Sequence, residues 1–576
     1  MKTSGYIRRH LDYVTRRATS LRDQLRPGKE QEDIHSIIAE LTGSDRNHHY
    51  TGIKEIDELK SLLETWDIIN EGDLLGQIYQ ILQNRNSRKN KGQFFTPEGI
   101  VLNTLRESLN LYPDIEDITL LDPACGSGHF LIHAFHFLRA RNERFGIDPD
   151  ESISRIINHS LTGFDVDPTA VIISRYNLAQ VSGRAENEIR IFRSDFLFRD
   201  DLSLTRSEEF DDGYDIIIGN PPWGSNISPE RKRYYRREYI SAKSGINSFT
   251  LFIERAFDLI KQGGAISFLV PEAYLNIKAH RESRKLVLSN GMIKTISRWG
   301  EQFKNVFAPS VSITIQQEKD PAKRKKNIVK IFSNRPREQS MYTMVPQDYY
   351  QRDREYFFNV HYSRKSIDTL KAIESGDSFY LKDRARFFLG IVTGNNSHFI
   401  STRQTPDSPD PIIVGKDLAP FNIRFSHHYF KYNPGVLQQV APQHLYLSRG
   451  KILYRFIGKN LTFAREDMGY YTLNNVNGFI PSKSEINDES LVSVLNSRVI
   501  QYFYEKNFFT VKVLRGNLER IPIRRISLPN QKLLKCLHDR MLESDQNEKN
   551  RIRETIEDVI MLEYGLKDAS LDELSG

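Results

Sequence analysis

The sequence predicts an α/β protein. Between residues 91 and 320, short apolar runs of strand length alternate with helix-length stretches, and each run ends in an acid, a glycine turn or a proline. Two further observations bound that core. Residues 1–90 carry apolar side chains at helical spacing, as in Ile34 to Leu41 and Ile56 to Ile69. Past the charged, proline-containing stretch Lys319 to Lys326, the strand–helix rhythm gives way to aromatic, Asn- and Gly-rich segments. The expected organisation is a helical N-terminal extension (1–90), an α/β core (91–320), a linker (321–345) and a mixed α+β C-terminal domain (346–576).

Taken in order, Lys91 to Pro97 reads as a short rigid loop, ending in Phe95, Thr96 and Pro97, that enters a helix over Gly99 to Leu109. Ile118 to Leu121 reads as a buried strand, followed by Asp122-Pro123-Ala124-Cys125-Gly126-Ser127-Gly128 and an apolar helix from Phe130 to Leu138. Strand, glycine turn and helix bring backbone N–H groups close to a ligand. The turn departs from the dinucleotide fingerprint, because Leu131 stands where a third glycine belongs. It opens on an acid, Asp122, and has no phosphate-binding lysine, which points to a nucleoside carrying positive charge.

The second strand, Ser160 to Phe164, ends in Asp165-Val166-Asp167-Pro168. A carboxylate there is placed to accept both hydroxyls of a ribose, with Val166 packing on the base. The third, Glu188 to Arg193, ends in Ser194-Asp195-Phe196, where Asp195 suits an adenine amino group and Phe196 stacks beside the ring. Each acid taken alone also suits a helix cap. The fourth strand, Tyr214 to Gly219, runs into Asn220-Pro221-Pro222-Trp223. Two prolines cannot continue a regular element, so this tetrapeptide is expected to emerge as a stiff turn at the strand's carboxyl end. It offers an amide, a carbonyl and an aromatic face to a flat amino-bearing group; read alone, it is equally a turn with a packed Trp. A helix over Ser248 to Ile260 and strands over Ala265 to Val270 and Val311 to Ile315 complete the core.

Two other stretches carry competing readings. Arg231 to Arg237 interleaves basic residues with tyrosines, which suits contact with a nucleic-acid backbone and equally a solvated helix face. Glu58-Leu59-Lys60, with Asp45 upstream, has the spacing of metal-dependent nucleases but falls in an amphipathic helical pattern, favouring a solvated face. Lys+Arg exceed Asp+Glu by 81 to 74, a net charge of +7 that permits a nucleic-acid partner without arguing for one. Two isolated cysteines, Cys125 and Cys536, exclude a disulfide framework or zinc cluster and fit a cytoplasmic protein. The Arg-rich start lacks the apolar core of a signal peptide, and no run is long enough to span a membrane.

In this order the motifs resemble the gamma-class, TaqI-like N6-adenine DNA methyltransferases of restriction systems: the Phe95-Thr96-Pro97 loop, Asp122 to Gly128, the Asp165 and Asp195 strand ends, Asn-Pro-Pro-Trp, and a large region last. The resemblance implies a class I (Rossmann-like) methyltransferase fold with a C-terminal target-recognition domain. It implies S-adenosylmethionine as methyl donor, no metal, and duplex DNA as substrate. Asp122, Ala124, Gly126 and Gly128, with Phe95, Thr96 and Pro97, would surround the methionine end. Asp165 would hold the ribose, Val166 and Phe196 the adenine faces, and Asp195 its amino group. Asn220, Pro221, Pro222 and Trp223 would receive an extruded adenine, with Phe307 as a second aromatic contact. Trp223 departs from the usual Tyr or Phe but keeps a stacking face. A separately encoded endonuclease is an implied partner. Related Asn-Pro-Pro-aromatic enzymes act on RNA or on glutamine side chains, and bifunctional restriction-modification enzymes share the motifs, so these stand as alternatives.

Overall fold

The computed structural model describes residues 2–44, 53–65, 73–83, 96–199, 213–224, 227–301, 309–333, 341–352, 354–458, 460–482, 484–508 and 512–566. Phe95 and Phe307 lie outside these residues, as does Asp45. The chain divides into two compact units, Met1–Val360 and His361–Gly576.

The first unit begins with helices α1 (Lys2–Asp23), α2 (Glu30–Thr42), α3 (Lys54–Thr65) and α4 (Leu74–Leu82), followed by α5 (Glu98–Leu109). Then come β1 (Leu120–Asp122), α6 (His129–Arg144), α7 (Pro149–Arg155), β2 (Leu161–Asp165), α8 (Pro168–Ser182), β3 (Ile191–Arg193) and β4 (Tyr214–Gly219). The rest is α9 (Pro229–Glu238), α10 (Ser248–Leu259), β5 (Ile260–Pro271), α11 (Arg281–Asn290), β6 (Gly291–Gly300), β7 (Ser310–Gln317), α12 (Pro321–Lys326), β8 (Ile328–Ser333) and β9 (Met341–Pro346). All nine strands form one sheet in the order β3-β2-β1-β4-β5-β7-β6-β8-β9. β3, β2, β1, β4 and β5 run parallel, and β7 is antiparallel to both β5 and β6.

Strand order reverses between β1 and β4, which pair in parallel with Leu120 beside Ile216 and Leu121 beside Ile217. At such a switch point the helices leave the two strands on opposite sides, so a crevice opens at their carboxyl ends. Ile216, Ile217 and Ile218 are fully buried, which explains why this strand reads as a continuous apolar run rather than an alternating one.

Two expected boundaries are corrected. Residues 321–345, read as a linker, contain α12 and β8, and β8 pairs in parallel with β6 while β9 pairs antiparallel to β8. The charges that suggested a linker form the short exposed helix α12; Val329 and Ile331 behind it alternate into the core. The N-terminal helices are likewise not a separate domain. Ile34, Ile37, Ile38, Ile56, Leu59, Leu74 and Ile78 share one buried cluster with Ile173 of α8. The nuclease-like spacing is also dissolved by this packing. Glu58 accepts from the Tyr13 hydroxyl (2.8 Å) and pairs with Arg17 (2.6 Å), while Lys60 reaches Glu40 on α2 (3.6 Å).

The second unit holds a four-stranded antiparallel sheet of Ala385–Phe388, Val476–Pro481, Lys451–Arg455 and Phe463–Glu466. Helices Asp488–Asn496, Arg498–Asn507, Leu528–Glu543 and Gln546–Glu563 follow it in the chain. Among the described residues no helix is long and apolar enough to cross a membrane.

Ile38→Ala should cost about 2–5 kcal/mol, since its fully buried side chain sits in the cluster shared with α8. Urea unfolding should show the loss as a lower midpoint for the whole first unit; a separate early transition confined to residues 1–83 would contradict the shared core.

Candidate functional site

A cavity of about 560 Å3 opens at the carboxyl ends of β1, β2, β3 and β4. Its lining includes Thr96, Asp122, Ala124 and Gly126, then Asp165, Val166, Asp195 and Phe196, and then Asn220 and Pro222. The loop after β1, the tips of β2 and β3, and the turn after β4 therefore meet around one space. Its size suits a nucleoside-sized ligand.

The acids are held in different ways. Asp165 accepts the amide N–H of Gly126 on Oδ2 (3.0 Å) and that of Asp167 on Oδ1 (2.9 Å), tying the glycine loop to the tip of β2. Asp195 accepts the Leu197 amide (3.1 Å) and pairs with Arg231 (3.0 Å). Asp122 accepts the Ala124 amide (3.1 Å), and burial, opposed by that bond and reinforced by the charge of Asp165, pushes its pKa up to about 8. Gly219 is required beside it: a Cβ there would stand 2.6 Å from Asp122 Oδ1. No sequence motif announced that close approach.

Asn220 donates its amide N–H to Thr96 Oγ1 (3.1 Å), bringing the loop before α5 against the turn after β4. His129, at the start of α6, lines the same cavity and bonds the Thr96 backbone. Burial and the neighbouring His133 push its pKa down to about 3, leaving a neutral ring that fixes the loop. Neither His129 nor the hydroxyl acceptor on Thr96 was legible as a positioning group in the sequence.

Several expectations are redirected. Trp223 does not line the cavity: its ring is 9% exposed, and its indole N–H donates to the Leu269 carbonyl of β5 (3.3 Å). Pro221 is buried, and Pro97 and Gly128 frame the loop ends without lining the cavity. Phe196 is 1% exposed and stacks on Phe252, whereas Val166 is 54% exposed and available as a face. The basic helix α9 is divided. Arg231 and Tyr235 line the cavity, and Tyr234 stacks on Phe198 (4.6 Å), while Lys232, Arg233 and Arg236 face solvent. Besides His129, sequence reading missed a group of lining residues from the N-terminal helices, Gln31 of α2 and Tyr79 and Gln80 of α4 among them.

The sheet order and the acid-lined crevice define a class I methyltransferase fold. The chain belongs to the N-6 DNA methylase family, which it matches over residues 70–370, just over half its length. Residues 410–523 match the TaqI-like C-terminal specificity domain. Among curated relatives, the type II methyltransferase M.VspI of Vibrio sp. (strain 343) is 26% identical over 372 residues, covering 65% of this chain and 80% of that protein. The type II restriction enzyme and methyltransferase RM.Eco57I of Escherichia coli is 23% identical over 360 residues; the match covers 48% of this chain and 36% of that one. In fold, the chain is similar to the type IIL restriction-modification enzyme MmeI in its DNA complex. The TM-score is 0.59 at 12% identity, over 98% of both chains. It is also similar to DrdV in its DNA complex, with a TM-score of 0.53 at 11% identity over 93% of this chain and 70% of that one.

The pKa of Asp122 has a consequence for binding. With a value of about 8, its carboxyl is largely protonated at neutral pH in the ligand-free protein. A cationic nucleoside such as S-adenosylmethionine favours the carboxylate, so binding should release a proton and tighten as pH rises toward about 8. Calorimetry in buffers of differing ionisation enthalpy measures that release, and Asp122→Asn should remove it.

Proposed function

We propose that the protein transfers a methyl group from S-adenosylmethionine to the N6 amino group of an adenine extruded from duplex DNA, as the modification component of a restriction system. The observation that carries this reading is the meeting of Asn220 with Asp122 and Asp165 around one cavity at the switch point of the sheet. Family membership and the specificity domain support DNA as the polymer, above RNA or protein glutamine.

The cavity fits the donor. In this reading Asp165 would accept the ribose hydroxyls, the exposed Val166 would cover the adenine ring with Phe196 behind it against Phe252, and Asp195, held by Arg231, would take its amino group. Asp122 with the Ala124–Gly126 turn suits the positively charged methionine end. S-adenosylmethionine, when bound, supplies a methyl group already activated on a sulfonium.

The work left to this chain is to present an amino nitrogen. That nitrogen is a poor nucleophile because its lone pair is delocalised into the purine ring. The Asn220 side-chain oxygen and the Pro221 carbonyl accept its two protons and draw it toward tetrahedral geometry, which returns the lone pair to nitrogen. Thr96, by accepting from the Asn220 amide nitrogen, sets the amide with its oxygen as the remaining acceptor. A base inside a helix cannot reach such a site, so the adenine leaves the stack. Phe307 remains the proposed second aromatic contact. Trp223 serves from beneath, holding the turn against β5 through its bond to Leu269.

Positioning and hydrogen bonding suffice for this transfer, so no metal is invoked. Glu58 and Lys60 lie on a helix and turn to separate ion-pair partners, which argues against a nuclease centre on α3; a separately encoded endonuclease is the proposed partner for any accompanying cleavage.

Incubation with labelled S-adenosylmethionine and parallel DNA, RNA and protein substrates should label DNA on adenine N6, and chelators should leave the rate unchanged. Asn220→Ala should reduce transfer by at least about 10³-fold while cofactor binding persists. Transfer by that variant at near wild-type rate would sink the assignment.

A further inference from the structure

Part of the cavity wall comes from α4, which precedes every motif from which a cofactor site was read. Gly76, Tyr79 and Gln80 line it, with Gln83 at the helix's C-terminal cap. The helix is fastened there by a run of buried polar contacts. Asp73, its N-cap, accepts the Gly76 amide (2.8 Å) and the Asn177 side-chain amide of α8 (2.9 Å). The same Asn177 nitrogen donates to the Ser127 carbonyl in the glycine loop (2.9 Å). The approach leaves no room for a side chain at position 76, where a Cβ would stand 2.1 Å from Asp73 Oδ2 and 2.8 Å from Ser127 Cβ.

One turn further along α4, Tyr79 donates its hydroxyl proton to Asp167 Oδ2 (2.7 Å) and is hydrogen-bonded by the Gln83 side chain. Asp167 uses its other oxygen to cap α8 through the Thr169 amide (3.0 Å), and its own amide donates to Asp165 Oδ1. Both oxygens of Asp165 therefore lead back to α4. Oδ1 does so through Asp167 and Tyr79; Oδ2 does so through Gly126, whose neighbour Ser127 is tied by Asn177 to Asp73.

We propose that α4 is a built part of the cofactor site, with Tyr79 and Asp73 as positioning residues that set Asp165 and the glycine loop for the nucleoside half of S-adenosylmethionine. This rests on the reading of Asp165 as the ribose acceptor. A helix that merely packed against the core would need neither a hydroxyl aimed at the β2 tip nor a buried amide bridging its N-cap to the loop. Burial and the nearby acids Asp167 and Asp165 push the Tyr79 pKa up, so the hydroxyl stays a donor across the working pH range.

The test is calorimetric titration of the full chain with S-adenosylhomocysteine, paired with steady-state kinetics. Tyr79→Phe should raise the Kd about tenfold, the loss of one hydrogen bond to a charged partner. KM for S-adenosylmethionine should rise in step, while kcat and KM for DNA move by less than about twofold. Asp165→Asn serves as the reference for loss of binding. If Tyr79→Phe binds as tightly as wild type while Asp165→Asn does not, α4 is packing only and the proposal falls. It falls equally if the variant's weaker signal comes from a reduced fraction of competent sites at unchanged Kd. If wild type itself takes up no S-adenosylhomocysteine, the cofactor reading beneath it fails first.

Discussion

The carboxylate of Asp165 is the point on which the site depends. It is 7% exposed, and a charge so placed must be met by donors or be lost to protonation. The donors are backbone amides of Gly126 and Asp167, supplied by two different turns. They reach it only because β1 and β2 run parallel in a fixed register, with Asp122 beside Gly163, and because the Cys125 amide continues the ladder onto the Phe164 carbonyl (2.9 Å). The shape of the glycine loop is thus a consequence of sheet register.

Placing three acids around one cavity raises an electrostatic problem that the chain solves three times over. Asp165 is met by amides, Asp195 by the Arg231 guanidinium, and the buried Asp122, with one amide from Ala124, by a raised proton affinity. The solutions differ in what a ligand would gain. An amide-bound carboxylate offers rigid acceptors, whereas the raised pKa of Asp122 makes its charge responsive to a nearby cation. The cavity is therefore rigid around Asp165 and electrically responsive around Asp122.

What was legible in the sequence was whatever local chemistry dictates. The apolar run of β4 ending in Asn220-Pro221-Pro222, the glycine turn after β1 and the acids at Asp165 and Asp195 all follow from a few adjacent residues, and the cavity gathers them. What escaped depends on contacts distant in the chain. Tyr79 meets Asp167 across 88 positions and leaves no periodic trace of doing so. β8 was hidden by the basic stretch ahead of it, because an exposed helix and a linker have the same composition. The hydrogen bond from the Trp223 indole N–H to the Leu269 carbonyl of β5 is another such distant contact, satisfying the polar end of a largely buried ring.

The specificity unit shows a complementary economy. Lys451 and Glu466 form a fully buried ion pair between adjacent strands, an arrangement that water would ordinarily favour breaking. Burial lowers the Lys451 pKa, and the facing Glu466 carboxylate opposes that shift. Glu466 also accepts the amides of Met468 (2.7 Å), Gly469 (3.1 Å) and Tyr470 (3.3 Å), so the pair's charge is spent on fixing the backbone of the segment that follows. Met468 nonetheless projects 68% exposed. A backbone held from within and side chains left outside allow the exposed residues of this segment to change without disturbing the frame.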